Sequence, residues 1–330
     1  MRKLTGIAIV AALTAGTMGM SRAQEVGKLE TLPDGATGIA AKYAQDEGIE
    51  KDAEVVFADN FEASSMGAGA KWDTSWNEEN RLFLEKDAKK VHSGKQAAAL
   101  TMPRKNPRDP EGCDMVKILK PGHEKLFVRY YVKFEKHSQL FHGGAHNGAS
   151  LEARGPDIYK PSPGIKATGT NKFTVLLDTW RPRREIPSPG WLVVYVYHPE
   201  QEPRFGEQWF PSGRVLPRKE VGKEMFGERF VAREEFIPER DRWYCFELMV
   251  QANTPGKRDG RIAYWVDGKL TADFPDLRLR DVDSLKINRL SLNMYSMNRR
   301  TSAPVKVWYD DVVVAKSYVG PMTRAKARGR

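Results

Sequence analysis

Between residues 54 and 314 the chain keeps returning to one local pattern, a short run rich in β-branched and aromatic residues closed by Gly, Pro, Asn or Asp. The runs fall at 54–58, 96–102, 115–119, 126–134, 173–177, 192–197, 243–250, 261–266, 287–295 and 305–314. This rhythm predicts about ten to thirteen strands, and only 39–47 reads as helical. Strands of that length and number bury their apolar faces against each other. The expected fold class is therefore all-β, an antiparallel β-sandwich of the jelly-roll kind whose one sheet curves into a concave groove. Asp267-Gly268, between two such runs, is a hairpin turn signal. No repeat period or interior linker appears, so one domain from 53 to 320 is expected, with a polar leader at 24–52 packing on its outside.

The ends read differently. Met1-Arg2-Lys3, an apolar and small-residue run to Met20, and then Ser21-Arg22-Ala23 have the order of a secretory signal peptide spanning 1–23. Nothing else approaches the roughly 20 continuous apolar residues of a membrane span, so a secreted or periplasmic protein is expected. Residues 321–330 carry Arg324, Lys326, Arg328 and Arg330 and read as a basic tail. The formal net charge is +10, and removing Arg2, Lys3 and Arg22 with the signal leaves the chain basic. A basic exported chain suits an acidic polysaccharide or an anionic surface better than nucleic acid. Of the two cysteines, Cys113 and Cys245, an oxidising compartment allows pairing without requiring it.

Strand-like 191–198 places Leu192, Val194 and Val196 on one face and Trp191, Val193, Tyr195 and Tyr197 on the other. Two phenols side by side on a sheet are either aromatic packing or an acid/base pair. Along 127–134, Arg129, Tyr131 and Lys133 share a face, a cationic stripe beside a phenol that would suit an acidic sugar or lie solvated. Phe141-His142-Gly143-Gly144-Ala145-His146-Asn147-Gly148 is too glycine-rich for a helix. As a loop it offers His142 as a candidate base and His146 and Asn147 as donors. Oxygen ligands from Glu62, Ser93, Gln96 and Asp310, near the first and last strands, suit one structural calcium ion. Paired glycosidase carboxylates in a Glu-x-Asp-x-x-Glu strand, a Gly-x-Ser-x-Gly elbow and a phosphate loop are all absent.

Several segments together resemble the alginate- and glucuronan-lyase-like jelly rolls of the concanavalin A-like sandwich class. They are Asp59-Asn60-Phe61-Glu62, Val128-Arg129-Tyr130-Tyr131, Gly143-Gly144, Thr179-Trp180-Arg181, Tyr195-Val196-Tyr197-His198-Pro199, Asn253-Thr254-Pro255-Gly256, Trp265-Val266-Asp267-Gly268-Lys269 and Tyr309-Asp310-Asp311. The resemblance implies a polysaccharide lyase, a groove-strand Tyr-x-Tyr at Tyr195 and Tyr197, substrate contacts at Trp180 and Arg181, and calcium positions at Glu62, Ser93, Gln96 and Asp310. Relatives tend to carry a lysine just after the Gly-Gly pair and an arginine shortly before the groove tryptophan. This chain has Ala145 and Leu176 or Leu177 there, leaving His142, His146, Arg129 and Arg181 as substitutes.

The expected activity is β-elimination on a uronate-containing polysaccharide by a monomer, with Tyr195 or Tyr197 as base and acid, and Arg129, Lys133 and Arg181 neutralising the sugar carboxylate. The alternative is a non-catalytic carbohydrate-binding module with the same groove.

Overall fold

The structure, a computed structural model, describes residues 29–324 apart from 80, 103–111, 139–144, 156–161, 184, 219–220 and 297–304. His142, the signal segment to Ala23 and the tail beyond Arg324 lie outside the described residues. The chain divides into two units, Met1–Thr31 and Leu32–Arg330, and the second holds everything discussed below.

Seventeen strands are present among the described residues. They are β1 (Val55–Asp59), β2 (Thr74–Trp76), β3 (Leu82–Glu85), β4 (Ala97–Met102), β5 (Gly112–His123), β6 (Lys125–Phe134), β7 (Ala145–His146), β8 (Ala149–Arg154) and β9 (Lys172–Trp180). There follow β10 (Trp191–Tyr197), β11 (Glu207–Trp209), β12 (Val215–Leu216), β13 (Trp243–Gln251), β14 (Gly260–Val266), β15 (Lys269–Leu277), β16 (Ile287–Ser296) and β17 (Val305–Ala315). Eight form one sheet in the order β15-β14-β13-β6-β17-β4-β3, with β1 also on β17; nine form the other as β12-β11-β10-β9-β8-β16-β5-β2, with β7 also on β16. Every pairing between these strands is antiparallel. The β14–β15 hairpin turns at Asp267 and Gly268, whose φ of 50° and 81° are the left-handed values a type I′ turn needs.

Alternation decides what lies between the sheets. Leu126, Val128, Tyr130, Val132 and Phe134 of β6 enter the shared core, as do Leu192, Val194 and Val196 of β10 and Phe173, Val175 and Leu177 of β9. Two buried phenols cross that core to the opposite sheet: Tyr264 donates to Leu192 O at 3.0 Å and Tyr309 to Asn293 O at 3.0 Å. Each satisfies a hydroxyl that would otherwise be desolvated without a partner. Cys113 joins the core whereas Cys245 sits on β13 beside Tyr131; both are buried free thiols. The pairing that the sequence allowed does not occur.

The outer face of the eight-stranded sheet is covered by the chain's own ends. Leu32 packs with Phe127, Met249, Trp265 and Tyr318, and Ile39, Ala40 and Ile49 pack with Val313, Ala315 and Val319. Ile39 and Ala40 donate backbone N–H groups to Tyr318 O and Val319 O, so the leader and the last described segment are zipped together. The helix read at 39–47 shortens to a 3₁₀ turn at Ile39–Lys42 followed by turns.

Candidate active site

Outward-facing residues of the nine-stranded sheet lie in rows set by strand register. One row runs Ser291, Ser150, Leu176, Tyr195; the next runs Arg289, Glu152, Thr174, Tyr197. Tyr195 and Tyr197 therefore stand on this face as the alternation predicted, packed with Leu176 and Ala167. Their hydroxyls are 3.4 Å apart, and each also accepts a backbone N–H, Tyr195 from Gly206 at 2.9 Å and Tyr197 from Gly164 at 3.1 Å. Gly206 lets that loop come close, because a Cβ there would fall 2.9 Å from the Tyr195 ring. Burial, and then the neighbouring Tyr197, push the Tyr195 phenol above its ordinary range. Tyr195 therefore keeps its proton near neutral pH, which suits the acid half of the acid/base role expected of the pair.

The group placed to take a proton is His146. Its Nδ1 lies 2.7 Å from Asp178 Oδ2, and its ring centroid is 4.9 Å from that of Tyr195 and 5.8 Å from that of Tyr295. Asp178 Oδ1 accepts the backbone N–H of Asn147 at 3.1 Å and of Thr179 at 2.8 Å. Burial raises the Asp178 carboxyl, and the His146 ring and these two amides pull it back. A carboxylate accepts only, so in the neutral imidazole Nδ1 carries the proton and Nε2 presents its lone pair. Asn147 is not the sugar donor that a loop reading expects. Instead its amide is buried against Thr179, donating to Oγ1 at 2.6 Å and accepting from N at 3.1 Å, which fixes β7 against β9. The His146 side chain remains 27% exposed, whereas Tyr195 and Tyr197 are 8% and 5% exposed.

Beside these groups lies a charged set that the sequence reading passed over. Glu152 is buried between Arg154 and Arg289, with Arg289 Nη1 at 2.6 Å, and also accepts from Ser150 Oγ at 2.8 Å. Burial opposes its charge, yet the two guanidiniums bring its carboxyl down to about 2. Arg289 also faces the Asp114 carboxyl, which it pulls down against the burial that raises it. Arg154 Nη1 and Arg289 Nε are buried with no hydrogen-bond partner, donors that a bound anion would satisfy. Lys172 Nζ donates to Ser162 O at 2.7 Å and lies 3.7 Å from the Tyr197 ring centroid, and burial lowers its pKa to about 7. Trp180, half-buried, shares this face with Asp178 two residues earlier on β9.

The remaining predicted contacts are elsewhere. Arg129, Tyr131 and Lys133 stand on the outer face of the eight-stranded sheet, across the core from Tyr195. Arg129 is fully buried in an ion pair with Asp46 of the leader and donates to Asp311 O at 2.7 Å. Tyr131 is stacked on His92, with centroids 3.5 Å apart, and its hydroxyl accepts Met322 N–H at 2.8 Å. Lys133 Nζ reaches Lys89 O and Asp241 Oδ1, both at 2.9 Å. Arg181 is buried with its Nε 2.5 Å from Ile186 O. The single groove uniting Arg129, Tyr131 and Lys133 with Tyr195 and Tyr197 is thereby overturned. Strand alternation tells which residues share a face, not which of two outer faces it is.

Glu62, Ser93, Gln96 and Asp310, the residues expected to bind calcium, meet at the loop 92–96. Glu62 Oε1 accepts the N–H groups of Lys95 at 2.8 Å and Gln96 at 3.0 Å; Asp310 Oδ2 accepts those of His92 at 3.0 Å and Ser93 at 3.3 Å. A bulge at Asp310/Val313, where Asp311 takes a φ of 47°, turns both acids of β17 toward this loop. Ser93 Oγ donates to Asp311 at 2.8 Å, and Gln96 Nε2 to Phe61 O and Ala63 O. The donors are all hard oxygens, the chemistry that calcium takes. Among the described residues no group of three His, Cys, Asp or Glu side chains is placed to hold a metal.

The two antiparallel sheets packed face to face define the class as a jelly-roll β-sandwich. Comparison narrows the class. The chain belongs to the polysaccharide lyase 14 family, whose model matches residues 110–296. No curated protein matches by sequence. Among solved structures, the Chlorella virus alginate lyase vAL-1 is 14% identical, with a TM-score of 0.53 over 75% of this chain and 94% of that one. The endo-β-1,4-glucuronan lyase of the fungus Trichoderma reesei is 15% identical, with a TM-score of 0.51 over 80% and 96%. The PL-14 alginate lyase of Aplysia kurodai is 15% identical, with a TM-score of 0.51 over 73% and 89%. At these identities the likeness is one of fold. Among the described residues no helix is long and apolar enough to cross a membrane.

Proposed function

We propose that this face cleaves a uronate-containing polysaccharide by β-elimination, with His146 Nε2 as the base. The observation that carries this reading is the 2.7 Å contact between His146 Nδ1 and Asp178, which frees Nε2 beside a buried, protonated tyrosine. Nε2 takes the proton from the carbon next to the sugar carboxylate, a carbon–carbon double bond forms, and the glycosidic carbon–oxygen bond breaks. Tyr195 gives its proton to the departing oxygen. Negative charge builds on the sugar carboxylate in the transition state, and Arg154 and Arg289 supply the neutralising donors that Ala145 does not. Asp178 and Asn147 are positioning residues.

The test is ultraviolet absorbance of an unsaturated uronate when purified protein meets alginate, polyglucuronate, pectic and glycosaminoglycan substrates. Activity on at least one is expected, falling about a hundredfold in Tyr195→Phe. Silence across the panel overturns the lyase reading.

The alternative, a non-catalytic carbohydrate-binding face, is favoured by one observation: both tyrosine hydroxyls already accept backbone amides. It predicts salt-sensitive glycan binding with no product.

The oxygen donors around 92–96 support a structural calcium ion held by Glu62 and Asp310 with Ser93 and Gln96. Calcium should raise Tm and chelation should lower it, and a Tm indifferent to both rejects the site. Export of the mature chain, as the signal segment suggests, is checked by its N-terminal sequence from the culture medium or periplasm.

A further inference from the structure

Among the described residues four large apolar side chains are well exposed: Trp76, Ile165, Phe205 and Val231. Three of these flank the face that carries His146 and Tyr195. Ile165 and Phe205 belong to the loops whose Gly164 and Gly206 amides bond the two tyrosines, and a Cβ on Gly164 would meet the Phe205 ring at 3.2 Å. Trp76 lies at the opposite end, on edge strand β2. It is paired in register with Asp114 of β5, which is paired with Asn293 of β16. Directly opposed residues point to the same side of a sheet, so Trp76, Asp114 and Asn293 form a row on the groove face.

An exposed tryptophan on a sheet edge is a liability in a chain with nothing to bind there. Trp76 is 46% exposed, while Trp72, four residues earlier, is buried and donates from Nε1 to Asp59 at 2.9 Å. The strand thus keeps one indole in the fold and leaves the other out. The Trp76 backbone N–H is tied to the Asp114 carboxylate, which burial raises to about 6. From β2 through β5 and β16 to β7, where His146 sits opposite Tyr295, the sheet crosses three strand spacings, roughly 14 Å. Asp114 and Asn293 offer polar groups along the way.

We propose that Trp76 is a distal subsite for the same sugar chain: its indole stacks against the C–H-rich face of a sugar ring about three units from the bond that is cut. This rests on the lyase reading for the direction of the chain, which runs across the strands from Tyr195 toward β2. An aromatic platform is indifferent to the sugar's charge, so the gain comes from chain length and is insensitive to salt.

The experiment compares wild type, Trp76→Ala and Trp76→Phe on uronate oligosaccharides of three and of six or more units, by binding calorimetry and by cleavage. Wild type should bind the long oligosaccharides more tightly than the short ones. Trp76→Ala should erase roughly five- to tenfold of that difference, leave the short substrate's kcat/KM unchanged, and be partly rescued by phenylalanine. A chain-length preference that survives Trp76→Ala, or a loss equal for short and long chains, overturns the subsite and leaves the lyase reading standing. Length-dependent binding that needs Trp76, with no cleavage of any substrate, sinks the lyase reading and keeps the subsite.

Discussion

Arg129, Tyr131 and Lys133 on the eight-stranded sheet, and Arg289, Tyr195 and Lys172 on the nine-stranded sheet, are the same three side-chain types on the two outward faces of one sandwich. On the first, each group is covered: Arg129 by Asp46, Tyr131 by His92 and Met322 N–H, Lys133 by Asp241 and a backbone carbonyl. On the second, Arg154 and Arg289 meet at Glu152, and His146 keeps a quarter of its surface in solvent. Unpartnered guanidinium nitrogens occur on both faces, Arg129 Nε on the first and Arg154 Nη1 and Arg289 Nε on the second, so cover and not hydrogen-bond completeness separates them. The distinction lies in what the leader and the last segment cover, not in the strands themselves.

Substitution should separate the two faces most sharply at His146 and Arg129. His146→Ala is expected to lower kcat by about a thousandfold with little change in Tm, since general-base removal costs on the order of 10²–10⁴ in rate. Arg129→Ala is expected to leave kcat per folded molecule unchanged and to cost about 3–5 kcal/mol of stability, because Asp46 would be left as a buried unpaired charge. The pair Arg129→Met with Asp46→Leu should regain much of that loss in a denaturant titration. If Arg129→Ala instead abolishes turnover at full stability, the covered face is catalytic and the comparison is wrong.

Next in size is a dependence on pH that the covered face contributes. Glu247 is fully buried, accepts the N–H groups of Val319 at 2.7 Å and Gly320 at 2.8 Å, and burial raises its pKa to about 7. The folded form therefore holds this proton more tightly than the unfolded form does. Its contribution is full below about pH 4.5 and is lost as pH rises to about 7, on the order of 3 kcal/mol. Glu247→Gln should flatten that part of the stability profile without altering catalysis. An unchanged profile means the carboxyl is ionised throughout.

The smallest effect tests the tyrosine pair. Tyr197→Phe removes the acceptor for Gly164 N–H and should cost about 1 kcal/mol with less than about a fivefold change in kcat, whereas Tyr195→Phe removes the proton donor. Equal losses from the two would mean that they act as one unit.

How far this could be read from residue order depends on which period was being read. Period-two alternation put Tyr195, Tyr197 and Trp191 on the side away from Leu192, Val194 and Val196, and the register agrees. The same alternation was present in Ala149-Ser150-Leu151-Glu152-Ala153-Arg154, yet that stretch passed unnoticed because alanine marks a strand poorly. With it went Glu152 and Arg154. Asp178 had a signal too, a lone acid inside Val175-Leu176-Leu177-Asp178-Thr179-Trp180, where an unpaired carboxylate could not stay buried. What one-dimensional order withholds is coverage. Nothing along 127–134 announces that residues around Asp46 and Tyr318 return to lie over it, since contacts nearly 200 residues apart in sequence decide that.

The zipper between Ile39–Ala40 and Tyr318–Val319 also has a temporal meaning. A chain made from its N-terminus produces the leader first and its backbone acceptors last, so during synthesis Arg129 and Glu247 wait on a face that cannot yet be roofed. Until Val319 and Gly320 emerge, Glu247 lacks the two amides that it accepts, and the leader lacks the carbonyls that hold it. Loss of the segment at Tyr318 and Val319 would therefore unfasten the leader at Ile39 and Ala40, nearly three hundred positions away.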